Sequence, residues 1–161
     1  MPSFNDFSPG IIGDVRRPLA FLAKHAPDMT AVVAEWESAF FAGAKNKRAS
    51  TNIRATLTSL GLMTRNPIGL TEAGKSILDA PTPVEGAQRL VRHIVDNHNG
   101  MAVIDAVRSL NARGEAVSKA SLKRELENLG IEGLANATTD HTTLLNWMIK
   151  AGLFTREGRS N

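Results

Sequence analysis

The sequence predicts a mainly α-helical protein in which two modules are joined by a bridging helix, and three observations support this fold class. Nearly the same nine residues occur twice, 91 residues apart, as LTSLGLMTR over 57–65 and MIKAGLFTR over 148–156. A chain of 161 residues with 42% hydrophobic content can bury two cores of about 80 residues each. The segment Pro81-Thr82-Pro83 interrupts the chain near its midpoint. We therefore expect module one over 1–80 and module two over 84–161.

Two helices are expected at the start of module one. The first should begin near Asp14, with Pro18 tolerated in its first turn, and end at 26–28. Thr30 is the expected N-cap of the second helix. Its apolar positions predict a broad buried face made of Val33, Trp36, Phe40 and Phe41.

A third helix and a β-hairpin are expected next. Ser50 is the expected N-cap of this helix, and its inward positions are Ile53, Leu57 and Leu60. Gly61 should end the helix, and the turn residues over 66–69 predict a tight β-connection between two short apolar strands. Thr71 is then expected to cap a helix that runs to about Ala80.

The second half predicts four helices, over 84–98, which bridges the modules, 100–113, 118–129 and 139–151. Asn99 and Ser118 are the expected N-caps of the second and third of these, and Gly114 should end the second. The connection over 130–137 is longer than the usual turn of a helix-turn-helix. After Gly152 we expect a short strand that has no returning partner.

Residues 51–78 resemble the wing and following helix of winged helix-turn-helix DNA-binding proteins. The shared pattern is Gly-Leu, a short hairpin and Leu-Thr-x-x-Gly, which recurs in bacterial regulators and in accessory domains of restriction enzymes. The segment LLNWMIKAGLF over 144–154 is similar to the C-terminal part of winged-helix modules in bacterial restriction or other defence systems. The resemblance implies two winged-helix modules with short β-wing hairpins and double-stranded DNA as the partner. It also implies a nuclease in another domain or subunit.

The candidate DNA contacts follow from charge and from helix faces. Five cations lie within 21 residues that contain no Asp or Glu, although the net charge of the chain is only +3. Ser, Thr, Asn and Arg on the outward face of the third helix are side chains that can pair with base edges in the major groove. The predicted contacts are Lys45, Lys47, Arg48, Ser50, Thr51, Asn52, Arg54 and Arg65 in module one, and His141, Thr142, Asn146 and Lys150 in module two.

Each of these assignments has a plainer alternative. Ser50 could simply cap its helix, and Arg54 could be an ordinary solvent-exposed arginine. In module two, Asp140 would repel phosphate, and a purely structural role for that helix remains open. We therefore expect module one to make the DNA contact.

Several other classes of function lack support in the sequence. With no cysteine, the chain has no disulfide and no zinc-thiolate site. His93 and His98 are five residues apart on one predicted helix, so their rings should point about 140° apart and not share a metal. Since no phosphate loop or nucleophile motif is present, we expect neither an enzyme nor a cofactor. No apolar run approaches the roughly 18 residues of a membrane span, and no secretory signal is evident, which favours the cytoplasm.

The sequence therefore predicts a duplex-DNA-binding protein, specifically the target-recognition part of a bacterial restriction or defence system. Two alternatives stay open. The near-balanced charge would suit a winged-helix scaffold for protein interactions in a multi-subunit assembly. A transcriptional regulator is the other, although no dimerisation helix or ligand pocket is identifiable.

Overall fold

The computed structural model describes residues 14–41, 47–131 and 140–155. These residues form eight helices and one antiparallel pair of strands, which confirms the mainly helical class. The helices are α1 (Arg16–His25), α2 (Met29–Phe40), α3 (Lys47–Ser59), α4 (Glu72–Leu78), α5 (Pro83–Asn97), α6 (Gly100–Ala112), α7 (Lys119–Asn128) and α8 (Asp140–Lys150), and the strands are β1 (Met63–Arg65) and β2 (Ile68–Leu70). None of the helices in these three ranges has the length and apolarity to cross a bilayer.

The N-cap of α2 is Asp28, so the prediction of Thr30 is wrong. The Asp28 carboxylate accepts the backbone N–H groups of Thr30 at 3.0 Å and Ala31 at 3.2 Å. An N-cap must precede the helix and reach back to its first turn, whereas Thr30 is already the second helical residue.

The buried face of α2 is centred on Trp36, as predicted. Trp36 is fully buried, and its indole N–H donates to the Pro18 carbonyl of α1 at 3.1 Å. Val32 and Phe40 are buried beside it, whereas Val33 and Phe41 are half-buried at the edge of the core. This packing fixes α2 against α1.

Helix α3 begins at Lys47, so Ser50 is not its N-cap. Ser50 lies inside the first turns and is only 5% exposed. The basic run that precedes it consists largely of Lys, Arg and Ala, which are good helix formers, and these extend the helix toward the N-terminus. The predicted inward positions are confirmed, because Ile53, Leu57 and Leu60 are all buried.

The predicted hairpin is confirmed. Strands β1 and β2 pair antiparallel, with Met63 opposite Leu70 and Arg65 opposite Ile68. The connection is short, and the Thr64 hydroxyl donates across it to the Pro67 carbonyl at 2.6 Å. The hairpin is therefore braced by one of its own side chains.

The segment Leu-Thr-x-x-Gly forms the joint between the hairpin and α4. The Thr71 hydroxyl accepts the Gly74 N–H at 3.1 Å as the predicted N-cap of α4, and it donates to the Gly61 carbonyl at 2.7 Å. A Cβ on Gly74 would overlap the Leu62 carbonyl oxygen. Only glycine therefore allows α4 to pack this closely against the start of β1.

Helix α5 joins the two halves of the chain. It packs against α4 on one side and against α6 and α8 on the other. Its buried positions belong to a hydrophobic cluster that includes Trp36 in the first half and Trp147 in the second. Helix α5 thus contacts both halves of the chain, whereas the two modules that it was expected to bridge, and their division at residues 80 and 84, stay predictions.

In the second half, Ser118 caps its helix as predicted, whereas Asn99 occupies the N-cap position without the expected side-chain hydrogen bond. Ser118 caps α7 in a reciprocal capping box with Ser121. Asn99 precedes α6 in the left-handed region, at φ 57° and ψ 26°, and its side chain makes no capping hydrogen bond. The turn is too tight for an extended cap, since a Cβ on Gly100 would lie 2.9 Å from the Val95 backbone.

The two copies of the sequence repeat share a helix end but not a wing. Gly61 and Gly152 have φ values of 67° and 82°. In each copy the next residue donates back to the carbonyl five positions earlier, Leu62 to Leu57 at 2.8 Å and Leu153 to Met148 at 2.9 Å. This is the Schellman pattern of helix termination.

The strand predicted after Gly152 is wrong. Residues 151–154 form turns and bends, and Leu153 is 47% exposed, whereas Leu62 in the first copy is fully buried. Gly114 and Gly130 end their helices with the same hydrogen-bond pattern and positive φ. The repeat is therefore a general helix C-cap, and only its first copy continues into a hairpin. The connection predicted over 130–137 lies almost wholly outside the described residues.

Candidate nucleic-acid interface

The outward face of α3 is polar. The spacing of the buried residues determines which residues lie on this face. Ser50, Ile53 and Leu57 point inward at helical spacing, which leaves Thr51 and Arg54 exposed on the opposite side. Thr58 is on the same strip, half-buried, and its hydroxyl donates to the Arg54 carbonyl at 2.8 Å. Asn52 is half-buried at the edge of this strip.

Arg54 and Arg65 are the two described cations of this region. Both are exposed, and within the described ranges neither guanidinium has a hydrogen-bonding or ion-pairing partner. No Asp or Glu occurs anywhere between Glu37 and Glu72, so no carboxylate on this stretch of the chain can neutralise them. Both charges are available to an external anion.

The other predicted contacts are placed as follows. Lys45 lies outside the described residues, as do the side chains of Lys47 and Arg48, which are the first two residues of α3. Ser50 is buried, and its side chain therefore does not reach the surface of α3. In α8, Asn146 is half-buried and has an interaction partner, whereas the side chains of His141, Thr142 and Lys150 are outside the described parts.

Three described cations of the second half, Arg113, Lys123 and Arg124, form ion pairs. Arg113 binds the Glu125 carboxylate at 2.7 Å and also Glu115, and Arg124 binds Glu115 as well. Lys123 lies 3.6 Å from Glu127 one turn along α7. These pairs tie the end of α6 to α7, whereas Arg108 and Lys119 are exposed and have no ion-pairing partner in the part of the chain that the structure describes.

Glu125 is the buried centre of that network. Its side chain is 7% exposed, and it accepts hydrogen bonds from Arg113 and from the Ser109 hydroxyl, the latter at 2.5 Å. These donors, Arg113 first, lower the pKa of Glu125 from 4.5 to about 2. In return, Glu125 raises the pKa of Arg113. The network therefore holds α6 and α7 together.

The sequence did not predict that His93 and His98 meet at the C-terminal end of α3. Their Nε2 atoms lie 2.6 Å and 3.1 Å from the Leu60 carbonyl oxygen, and their ring centroids are 5.3 Å apart. The predicted divergence of 140° is wrong because α5 ends at Asn97, so His98 does not follow the helical rotation. Its backbone, at φ −134° and ψ 32°, turns the ring back toward His93. The clue in the sequence is the Asn-Gly pair directly after His98, which favours a turn there.

Comparison with protein-family models, curated proteins and solved structures finds no match for this chain. Within residues 14–41, 47–131 and 140–155, no group of three or more His, Asp or Glu side chains is close enough to hold a metal ion.

Proposed function

We propose that this protein binds duplex DNA through a winged-helix unit made of α1 to α4 and the β1–β2 hairpin, with α3 in the major groove. The observation that carries the proposal is the outward face of α3. It presents Thr51 and Arg54, whose guanidinium has no partner among the described residues, within a stretch that lacks carboxylates, and the hairpin that follows directly carries the exposed Arg65.

The shape of this unit suits a DNA groove. The major groove of B-DNA admits one α-helix, and arginine can donate two hydrogen bonds to the O6 and N7 of guanine. Arg54 is in the middle of α3, where such a contact needs a long exposed side chain. We assign base contacts to Arg54, Thr51 and Asn52, and phosphate contacts to Lys45, Lys47, Arg48 and Arg65.

Module one carries this role better than module two. Three cations at the end of α6 and in α7, Arg113, Lys123 and Arg124, are engaged by Glu115, Glu125 and Glu127, whereas Arg108 and Lys119 have no ion-pairing partner within the described residues. The α8 helix begins with an acidic residue, Asp140, and is not followed by a hairpin in the described residues. We assign α8 a supporting role, with its candidate contacts His141, Thr142, Asn146 and Lys150 secondary to those of α3.

The biological setting that we propose is target recognition in a bacterial restriction or defence system, in the cytoplasm. This part of the proposal rests on the resemblance of 51–78 and 144–154 to winged-helix modules of such systems. Catalysis would then lie in a nuclease domain or subunit, and this chain would supply binding.

A salt titration of DNA binding tests the proposal. Fluorescence anisotropy with a labelled random duplex should show binding at 50 mM salt. With the four assigned phosphate contacts the expected slope of log K against log salt is about −3.6, so affinity should fall roughly 150-fold between 50 and 200 mM. Arg65→Ala should reduce the slope by about one.

The second candidate is a protein-interaction scaffold, and one observation favours it. The four large apolar side chains that are exposed in the described residues, Val84, Met101, Leu129 and Leu153, all belong to the second half. Exposed apolar groups of this kind are typical of contact surfaces when they are contiguous. Absence of DNA binding at 50 mM salt would eliminate the leading proposal and leave this one.

A further inference from the structure

We propose that His93, His98 and the Leu60 carbonyl form a binding site for a late first-row divalent metal ion such as Ni²⁺ or Zn²⁺. The two imidazole Nε2 atoms converge on one oxygen, at 2.6 Å and 3.1 Å. Imidazole nitrogen is a preferred ligand for these ions, and a backbone carbonyl can complete a set of three protein donors. Water would fill the remaining coordination positions.

The observed distances are close to those that such a site requires. Ligands bound at about 2.0–2.1 Å to one ion are separated by roughly 3.0 Å at right angles and 3.4 Å in a tetrahedron. The two Nε2-to-oxygen distances therefore need to lengthen by less than about 1 Å. The rings lie 60° from coplanar, so their Nε2 atoms approach the oxygen from different directions.

Both imidazole rings can adopt the tautomer that metal binding through Nε2 requires. Without metal, each Nε2 carries a hydrogen, because the carbonyl oxygen can only accept. Metal binding moves the remaining ring hydrogen to Nδ1. The Asn97 amide nitrogen lies 3.3 Å from Nδ1 of His93 and donates to the His93 backbone carbonyl at 3.0 Å. Because this second bond fixes the amide orientation, a hydrogen on Nδ1 would be accepted by solvent rather than by Asn97.

The cleft beside His93 is lined by more positive than negative charge, and the site joins separate elements of the fold. Arg89, Arg92 and Asp96 line this shallow cleft, so a cation there meets two arginines and one carboxylate. Leu60 ends α3, His93 is in α5, and His98 begins the turn into α6. An ion bound there would crosslink the end of α3 to the bridging helix and thereby stabilise the fold.

The test uses the full chain without DNA, so its outcome is independent of the DNA-binding proposal. At a Ni²⁺ concentration ten times the dissociation constant, the Tm of the wild type should rise by about 3–6 °C. The rise should be lost in His93→Gln and in His98→Gln, whose amides can still donate to Leu60. It should persist in the matched control His25→Gln, because His25 pairs with Glu35 away from this site.

A second measurement needs no variant. In protein with ¹⁵N-labelled histidine rings, Zn²⁺ should move the Nε2 resonances of two of the four histidines at one equivalent. The proposal is overturned by the absence of any Ni²⁺-induced rise in Tm, by a rise that survives in the double variant His93→Gln/His98→Gln, or by unchanged Nε2 resonances.

Discussion

Replacement of Gly74 by alanine should destabilise the protein, although the same change inside most helices is favourable. Gly74 is the third residue of α4, where the helix packs directly on the hairpin base. An added Cβ would overlap the Leu62 carbonyl oxygen and lie 3.2 Å from the Leu62 carbonyl carbon and from Leu70 Cδ2. Two of these three atoms belong to the backbone, which cannot move aside as a flexible side chain would.

The expected magnitude is the difference between two effects. Alanine gains about 1 kcal/mol over glycine in helix propensity. Overpacking costs about 1–3 kcal/mol, and a collision with backbone lies at the upper end or beyond. The net loss should be about 2 kcal/mol, which for a chain of this length lowers Tm by roughly 4–8 °C.

Thermal unfolding followed by circular dichroism measures this loss, with Gly69→Ala as the matched control. Gly69 lies in the same hairpin, and its added Cβ would come no closer than 3.7 Å, to the Thr64 hydroxyl. The control should therefore change Tm by less than about 2 °C. Equal effects of the two substitutions, or a gain in stability for Gly74→Ala, would refute the close-packing explanation of Leu-Thr-x-x-Gly.

Two further predictions concern the cap of α2 and the buried network. Asp28→Ala should cost about 1 kcal/mol in urea unfolding because it removes the N-cap, whereas Thr30→Ala should cost much less; a larger cost for Thr30→Ala would contradict the assigned cap. The lowered pKa of Glu125, about 2 in the folded protein against 4.5, means that its contribution to stability is complete above pH 4.5 and is lost as pH falls toward 2. The wild type should accordingly exceed Glu125→Gln in stability at pH 6, with the difference shrinking by pH 3, and a pH-independent difference would count against this network.

Local sequence signals correctly predicted several features in both halves of the fold. The inward face of α3 follows from the spacing of Ile53, Leu57 and Leu60 alone, since helical periodicity brings these positions to one side. The caps at Thr71 and Ser118 and the left-handed Gly61 depend on residues within four positions of the helix end. Such features need no knowledge of tertiary contacts.

The incorrect predictions concern features that depend on an exact helix boundary or on a contact with a residue distant in sequence. Ser50 was predicted as the N-cap because the sequence placed the start of α3 at Thr51, four residues after the observed start at Lys47. This difference in the boundary moves the Ser50 side chain from the surface into the core. The convergence of His93 and His98 depends on α5 ending at Asn97 and on Leu60, which is more than thirty residues away in sequence. The strand predicted after Gly152 does not form because a strand requires a pairing partner, which a helix C-cap alone does not provide.

The most direct test of the central proposal compares Arg54→Ala with Arg108→Ala in binding to one duplex at a fixed salt concentration. Both arginines are exposed, neither has a partner within the described ranges, and both substitutions remove one positive charge. If α3 reads DNA, Arg54→Ala should weaken binding by about 1–3 kcal/mol, roughly 5- to 150-fold, whereas Arg108→Ala in α6 should change it less than about two-fold. Equal effects of the two substitutions, or no binding by the wild type at 50 mM salt, would contradict the assignment of α3 as the DNA-binding helix.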